Sequence, residues 1–385
     1  MSPPPIPALL VTDPLAGSPL PEAPVEPEPI SFPLGWLLTN ASGPIQYRAI
    51  SDVARIEVGK AESAGLRYAS QTAIALAVSQ SAGGSWNDSM LTVPSGKGTK
   101  IDGVGTIQAV RRLLEYGWDM DTPPLHQARR LLFRLLALDE EASLAFELVP
   151  RRGATLDAVS RARSLLREAS AAVLAQAAYN KDPRVRGAAT RVTLRVHEFM
   201  RSPIAESPLI RAGNQHVLSP EAFPPSFWFL LMLAHMPLFR TEHFELMDRL
   251  SSYLAAPAPR TPPTIAVDRD VIPMPHLILG DPLPTLQAAM ADLPWALTWL
   301  ELVARLGFLQ KNETWCGIFD KLLAQRDSDG VWRSRKGTAV PPSDNPYTWS
   351  VYPLEEDLSG ERCWTDVTFR LGLIARLAGR PIELM

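Results

Sequence analysis

Cysteine is close to absent: Cys316 and Cys363 are the only two in 385 residues. They are too far apart for a disulfide framework or a Cys-x-x-Cys metal signature, so the expected setting is the reducing cytoplasm. Long apolar runs are missing as well. A membrane-spanning helix needs about 20 consecutive apolar residues, and the longest stretch here, from Phe227 to Ala234, meets His235 and Pro237. Core burial is the expectation for that stretch, with a peripheral membrane contact as its alternative. Basic excess is lacking: the formal net charge is −3, and a nucleic-acid binder would need a basic face. The N-terminus has no basic region of a secretory signal. Alternation of apolar and polar residues is scarce, which excludes a large β-sheet. The six histidines form no His-x-x-x-His pair, and a catalytic zinc takes three protein ligands, so neither metal nor cofactor is expected.

What is present reads as a helical globular protein. Apolar residues make up 46% and charged residues 21% of the chain, enough to bury a sizeable core. Eleven prolines precede Leu34, among Glu22, Glu26 and Glu28. Proline removes backbone donors and favours extended conformations, so residues 1–35 are expected to be a disordered or extended arm, and residues 36–385 one helical domain. Helical spacing predicts helices at about Ala61–Gln80, Thr106–Tyr116, Leu156–Tyr179, Ser226–His235, Glu242–Leu254, Pro294–Leu306 and Glu313–Gln325. Gly117 is a natural helix stop, Thr122 the cap of the next helix, and Asp182 with Pro183 opens a helix to about Met200. The stretches 204–225 and 256–284, broken by proline, read as loop, with a short strand at Leu277-Ile278-Leu279.

One pattern recurs. A helix end with Gln80 is followed by Gly84-Ser85-Trp86, a connector, a helix from Thr106, and the stop Gly117-Trp118-Asp119. The C-terminal sixty residues repeat that order with Gln325, Gly330-Val331-Trp332, a new helix after Trp364, and Gly379-Arg380-Pro381. Both copies carry Lys-Gly-Thr after the tryptophan, Lys97-Gly98-Thr99 and Lys336-Gly337-Thr338. Such recurrence signals stacked helical units.

These corners resemble the glutamine–tryptophan repeats of squalene–hopene cyclases, and the helical hairpins resemble the α/α toroid shared by those cyclases and protein prenyltransferases. The resemblance implies an all-α toroid of antiparallel hairpins, with Gln80 beside Trp86 and Gln325 beside Trp332 tying helix ends together. It also implies an apolar central cavity and an isoprenoid-like small molecule as ligand.

The chemistry is less complete than the fold. A cyclase of this kind protonates its substrate with an Asp-x-Asp-Asp acid. The nearest match, Asp119-Met120-Asp121-Thr122, has threonine in the fourth position and lies in a short turn, where helix capping is the plainer role for Asp121 and Thr122. Prenyltransferase zinc ligands are not matched around Cys363 and Asp366. His216, and His276 with Asp281, are candidates for acid–base work from loops over a cavity mouth, or loop residues satisfied by backbone. Trp349, with Trp86, Trp118, Trp228, Trp295, Trp299, Trp332 and Trp364, is a candidate cavity wall for a carbocation, or packing at helix corners. Asp327-Ser328-Asp329-Gly330 is an Asp-Gly turn, and Gly103-Val104-Gly105 a hinge. Two functions follow: a terpenoid-cyclase-like or prenyltransferase-like protein, or a non-catalytic helical scaffold that binds a protein partner.

Overall fold

Proline and left-handed stops punctuate this chain. The computed structural model describes residues 29–94, 100–137, 156–259, 261–267 and 270–385. Lys97-Gly98-Thr99 and residues 1–28 of the arm lie outside them. The described chain is mostly helical. After strand β1 (Ile30–Phe32) come α1 (Leu34–Asn40), α2 (Gly43–Arg48) and a π-helical turn, Ala49–Ala54. The long helix expected at 61–80 is two, α3 (Lys60–Arg67) and α4 (Gln71–Val78). Ser70 breaks it, because its hydroxyl accepts the Ala73 N–H at 3.0 Å as the N-cap of α4.

Helical hairpins follow: α5 (Thr106–Glu115) with α6 (Pro123–Ala137), and α7 (Leu156–Gln176) with α8 (Pro183–Arg201). Then come α9 (Phe227–Ala234), α10 (Pro237–Glu242), α11 (Phe244–Ala255) and α12 (Leu286–Ala291), followed by α13 (Leu293–Leu306), α14 (Glu313–Leu323) and α15 (Thr365–Leu377). Asp182 caps α8 as expected, accepting the Arg184 N–H at 2.9 Å, with Pro183 in the first turn. The apolar run of α9 is wholly buried, so it offers no face to a membrane. Among the described residues no helix is long and apolar enough to cross one.

Four helices stop in the same way. After α5, α7, α13 and α15 a residue turns left-handed: Gly117 (φ 85°), Ala178 (φ 68°), Gly307 (φ 77°) and Gly379 (φ 71°). The next N–H then bonds five residues back, as in Trp118 to Leu113 (3.1 Å) and Phe308 to Val303 (2.8 Å). α7 packs between α5 and α9, α13 between α9 and α15, and α15 on α2 and the π-helical turn. α6 and α8 cover α7, and α11 covers α8. One apolar cluster runs from Ile30 to Ala378 and holds Trp86, Trp228, Trp299, Trp315 and Trp332.

Small strands appear where loop or disorder was expected. β1, inside the stretch assigned to the arm, pairs in parallel with β6 (Ile382–Leu384). Phe32 is 1% exposed and lies against α15 at Gly372, where a Cβ would stand 2.3 Å from its ring. Contacts with the far C-terminus hold this end of the arm, and its own composition carries no sign of them. β2 (Leu209–Ala212) and β3 (Gln215–Leu218) form one hairpin, β4 (Thr264–Val267) and β5 (Asp270–Pro273) another. The strand expected at 277–279 is a single bridge from Leu277 to Ser226.

The two repeat copies superpose in hydrogen bonding. In the first, Ser81 N–H bonds the Ser85 carbonyl and Gly84 N–H the Ser81 carbonyl. In the second, Asp327 bonds Val331 and Gly330 bonds Asp327, all at 2.9 Å. Each tryptophan N–H is then accepted by a threonine hydroxyl, Trp86 by Thr106 and Trp332 by Thr368, at 3.1 Å in both. This register places Arg326, not Gln325, opposite Gln80. Gln80 does tie its corner, donating to the Gly84 (3.0 Å) and Pro124 (2.8 Å) carbonyls. Arg326 donates instead to Leu323 (2.9 Å) and to Ser31 of β1 (2.6 Å). Both tryptophans are buried, Trp86 donating its ring N–H to Leu76 at 2.7 Å.

Candidate functional site

Between the helices runs a loop whose residues 347–355 are all buried. Buried backbone must find partners, and here charged side chains supply them. Arg111 donates to the Tyr347 carbonyl (2.9 Å), Arg370 to Val351 (2.8 Å), and Arg112 to Trp349 and Pro353. Asp366 accepts the N–H groups of Leu354 (3.0 Å) and Glu355 (2.9 Å). Arg111 and Arg112 stand on α5, Asp366 and Arg370 on α15, so two helices grip the loop.

The same arginines join an ion-pair network. Glu115 on α5 meets Arg48 of α2 at 2.5 Å and Arg370 at 2.7 Å. Glu301 on α13 meets Arg370 at 2.6 Å and Arg305 at 2.9 Å. Gln176 at the end of α7 donates to Glu115 at 3.0 Å. Burial alone would raise both carboxyls. Arg48 and Arg370 outweigh it at Glu115, and Arg370 and Arg305 at Glu301, so both stay below the usual range. Burial also pulls Arg111 down to about 10, and burial with nearby Arg305 holds His235 well below its ordinary value, hence neutral.

Between Arg111, Glu115, Gln176, His235, Glu301 and Arg305 lies a cavity of about 20 Å³. That is room for about one water, which needs some 10–15 Å³. Fixed charges and a neutral imidazole surround this water-sized space.

Of the candidate site residues singled out in the sequence, Trp349 belongs to this loop, and the others lie elsewhere. Asp119 and Asp121 are exposed. Asp119 accepts the Asp121 N–H at 3.1 Å and pairs with Arg67 at 2.9 Å, while the Thr122 hydroxyl donates to the Asp119 carbonyl at 2.6 Å. The turn is therefore organised by Asp119, and Thr122 acts as donor to it rather than as acceptor for α6. His216 is an exposed residue of β3, paired with Arg211. His276 is buried, its imidazole pulled down to about 4 by desolvation, and its carbonyl accepts the Phe227 N–H at 2.7 Å. Asp281 accepts from Trp315 (2.9 Å) and the Leu283 N–H (2.8 Å), a structural clamp on α14. Trp349 comes nearest the centre, buried with the Arg112 guanidinium 5.0 Å over its ring.

Sequence reasoning missed Arg111, Glu115, Glu301 and Arg370. A signal existed for Glu301, which sits in α13, a helix otherwise apolar apart from Thr298 and Arg305. Among the described residues no three His, Cys, Asp or Glu side chains gather to hold a metal. A groove of about 1350 Å³ lies between α10, α11, the end of α13 and the segment around Ala256–Gly280. Its wall includes Phe244 (77% exposed), Tyr253, Met247 and Phe308, with Arg240 and Lys311 beside them. No protein-family model, curated protein or solved structure matches this chain.

Proposed function

We propose that α5, α7, α9, α13, α15 and α2 close as the inner ring of an α/α toroid, and that this toroid is a non-catalytic scaffold in the cytoplasm. Its groove beside α11 takes an extended segment of a protein partner. The observation that carries this reading is the filled centre. The buried loop 347–355 and the pairs around Glu115 and Glu301 occupy the space that an isoprenoid chain would need, leaving about 20 Å³. A terpenoid-cyclase-like or prenyltransferase-like activity would call for a dry apolar cavity facing a protonated carboxyl. Asp119 and Asp121 stand exposed on a surface turn, far from such a role. The groove instead offers exposed Phe244 between apolar and charged walls, which suits an extended peptide anchored by side chains in pockets.

Two measurements test this. Purified protein incubated with squalene, farnesyl diphosphate and geranylgeranyl diphosphate is expected to give no product and no shift in Tm. Peptides selected from a random display library against the protein are expected to lose binding to a Phe244→Ser variant. A cyclic or prenylated product lost on Asp121→Asn would overturn the scaffold reading. Selected peptides indifferent to Phe244→Ser would remove the groove from it.

A further inference from the structure

Strand β1 fixes the direction of the residues before it. It runs parallel to β6, with Ile30 opposite Ile382, and the Ile30 N–H bonds the Pro381 carbonyl at 2.8 Å. In a parallel pair both chains run the same way, so the chain followed backwards from Ile30 is aimed past Pro381 towards Arg380 and Gly379. That corner adjoins the groove beside α11. The Gln310 side chain donates to the Ala378 carbonyl, and the next residue, Lys311, stands in the groove wall. Summed over these bonded steps, Ile30 and Lys311 are at most about 30 Å apart.

The sequence before Ile30 falls into two parts. Residues 20–29 combine Pro21, Pro24, Pro27 and Pro29 with Glu22, Glu26 and Glu28. At about 3.1 Å per residue in a polyproline helix, that stretch is a semi-rigid spacer of about 31 Å, long enough to reach Lys311. Residues 3–15 differ in kind. Ile6, Leu9, Leu10, Val11 and Leu15 stand there among prolines, with Asp13 as the one charge. A mere tether has no use for such side chains.

The groove suits that apolar segment. Its volume of about 1350 Å³ exceeds the roughly 300–1,000 Å³ of small-molecule sites. Its charges balance, Arg240, Arg249 and Lys311 against Glu206, Glu245 and Asp248, so no net field selects a charged ligand. Its accessible apolar surface is Phe244, 77% exposed, with half-buried Tyr253 and exposed Pro237 and Pro257. Extended proline-rich segments dock on aromatic-lined surfaces of this kind.

We infer that residues 3–15 lie in the chain's own groove when no partner is bound, so that a partner must displace them. The inference rests on the groove being a peptide site, as proposed above, and names its occupant in the free protein. Tethering gives the segment an effective concentration of about 1 mM. A contact with a Kd of about 100 µM then fills the groove about 90% of the time and weakens a partner about elevenfold.

Replacing Phe244 by p-benzoylphenylalanine keeps an aromatic ring in the groove and cross-links what lies on it under ultraviolet light. The full chain, illuminated at high dilution, is expected to stay a monomer with position 244 joined to a residue within 3–15, read by peptide mass spectrometry. Ile6→Ser, Leu9→Ser and Leu10→Ser together alter none of the packed helices, so a lost cross-link cannot come from their misfolding. The triple variant should cut the cross-link at least tenfold and bind library-selected peptides about tenfold more tightly than the parent. Cross-links between two copies, or to no residue within 3–15, overturn the inference. Selected peptides that need Phe244 yet bind parent and triple variant alike also overturn it, while leaving the partner groove standing. A cross-link to residues 3–15 in a protein whose selected peptides ignore Phe244 upholds the arm's place and removes the partner alone.

Discussion

Replacing Arg370 by methionine perturbs the centre with little change in side-chain volume. The guanidinium is 3% exposed and donates to Glu301 at 2.6 Å, Glu115 at 2.7 Å and the Val351 carbonyl at 2.8 Å. Without it, two buried carboxylates lose a counter-charge and the buried loop loses a donor. Each carboxylate keeps one arginine, Glu115 its Arg48 and Glu301 its Arg305. The expected loss is therefore about 3–5 kcal/mol, the range for breaking one partner out of a buried pair. Urea unfolding followed by tryptophan fluorescence measures it. A second replacement, Glu301→Gln, removes one of the stranded charges, so the double variant should lose less than the two single losses added together. Hydrogen exchange should rise along 347–355 in Arg370→Met. If that variant unfolds within about 0.5 kcal/mol of the parent, as surface substitutions do, the network is not what holds the loop and the reasoning fails.

Further outcomes can be checked alongside. Burial pushes the Glu168 carboxyl up to about 7, outweighing the Ser226 hydroxyl and the Phe229 N–H that favour its anion. The folded state thus binds this proton more tightly than the unfolded state does. Its contribution is fullest below about pH 4.5 and is lost as pH rises to about 7, by at most about 3 kcal/mol. Glu168→Gln should flatten that difference in stability against pH, and an unchanged profile would refute it. Asp119→Ala should cost about 1 kcal/mol, typical of losing a capping-type side chain, while Asp121→Ala stays within about 0.5 kcal/mol; denaturant midpoints showing the reverse order would reassign the turn. Ala178 holds φ 68° where its three counterparts are glycine, so Ala178→Gly should raise stability by up to about 1 kcal/mol, and a lower Tm would contradict this. Phe32→Ala should cost about 3–5 kcal/mol; a neutral result would mean that β1 is not packed on α15.

Local physics made most of the helices legible. Apolar spacing marked α5, α7, α9, α13 and α14, and Asp182-Pro183 marked the start of α8, because caps, stops and amphipathic stripes depend on neighbours within a turn or two. The same holds for the repeat corners, where a glycine at positive φ and a tryptophan mark the site themselves. The one-residue slip between Gln325 and Arg326 shows the limit. Two polar residues stand side by side there, and composition alone cannot choose between them.

Sequence by itself thus determined that the chain is helical, where its corners fall, and that Trp86 and Trp332 pack inside them. Tertiary structure alone decided the rest. β1 exists because Ile30–Phe32 meets Ile382–Leu384 across the whole length of the chain. Asp119 and Asp121 face solvent because their turn lies outside the packed helices. The centre is charged because a loop from residues 347–355 threads between α5 and α15, and its buried carbonyls and amides require Arg111, Arg112, Asp366 and Arg370. Those partners lie up to 241 positions apart. Interactions at such separation leave no periodic trace along a sequence, since what fixes them is the demand of buried polar groups for partners in space.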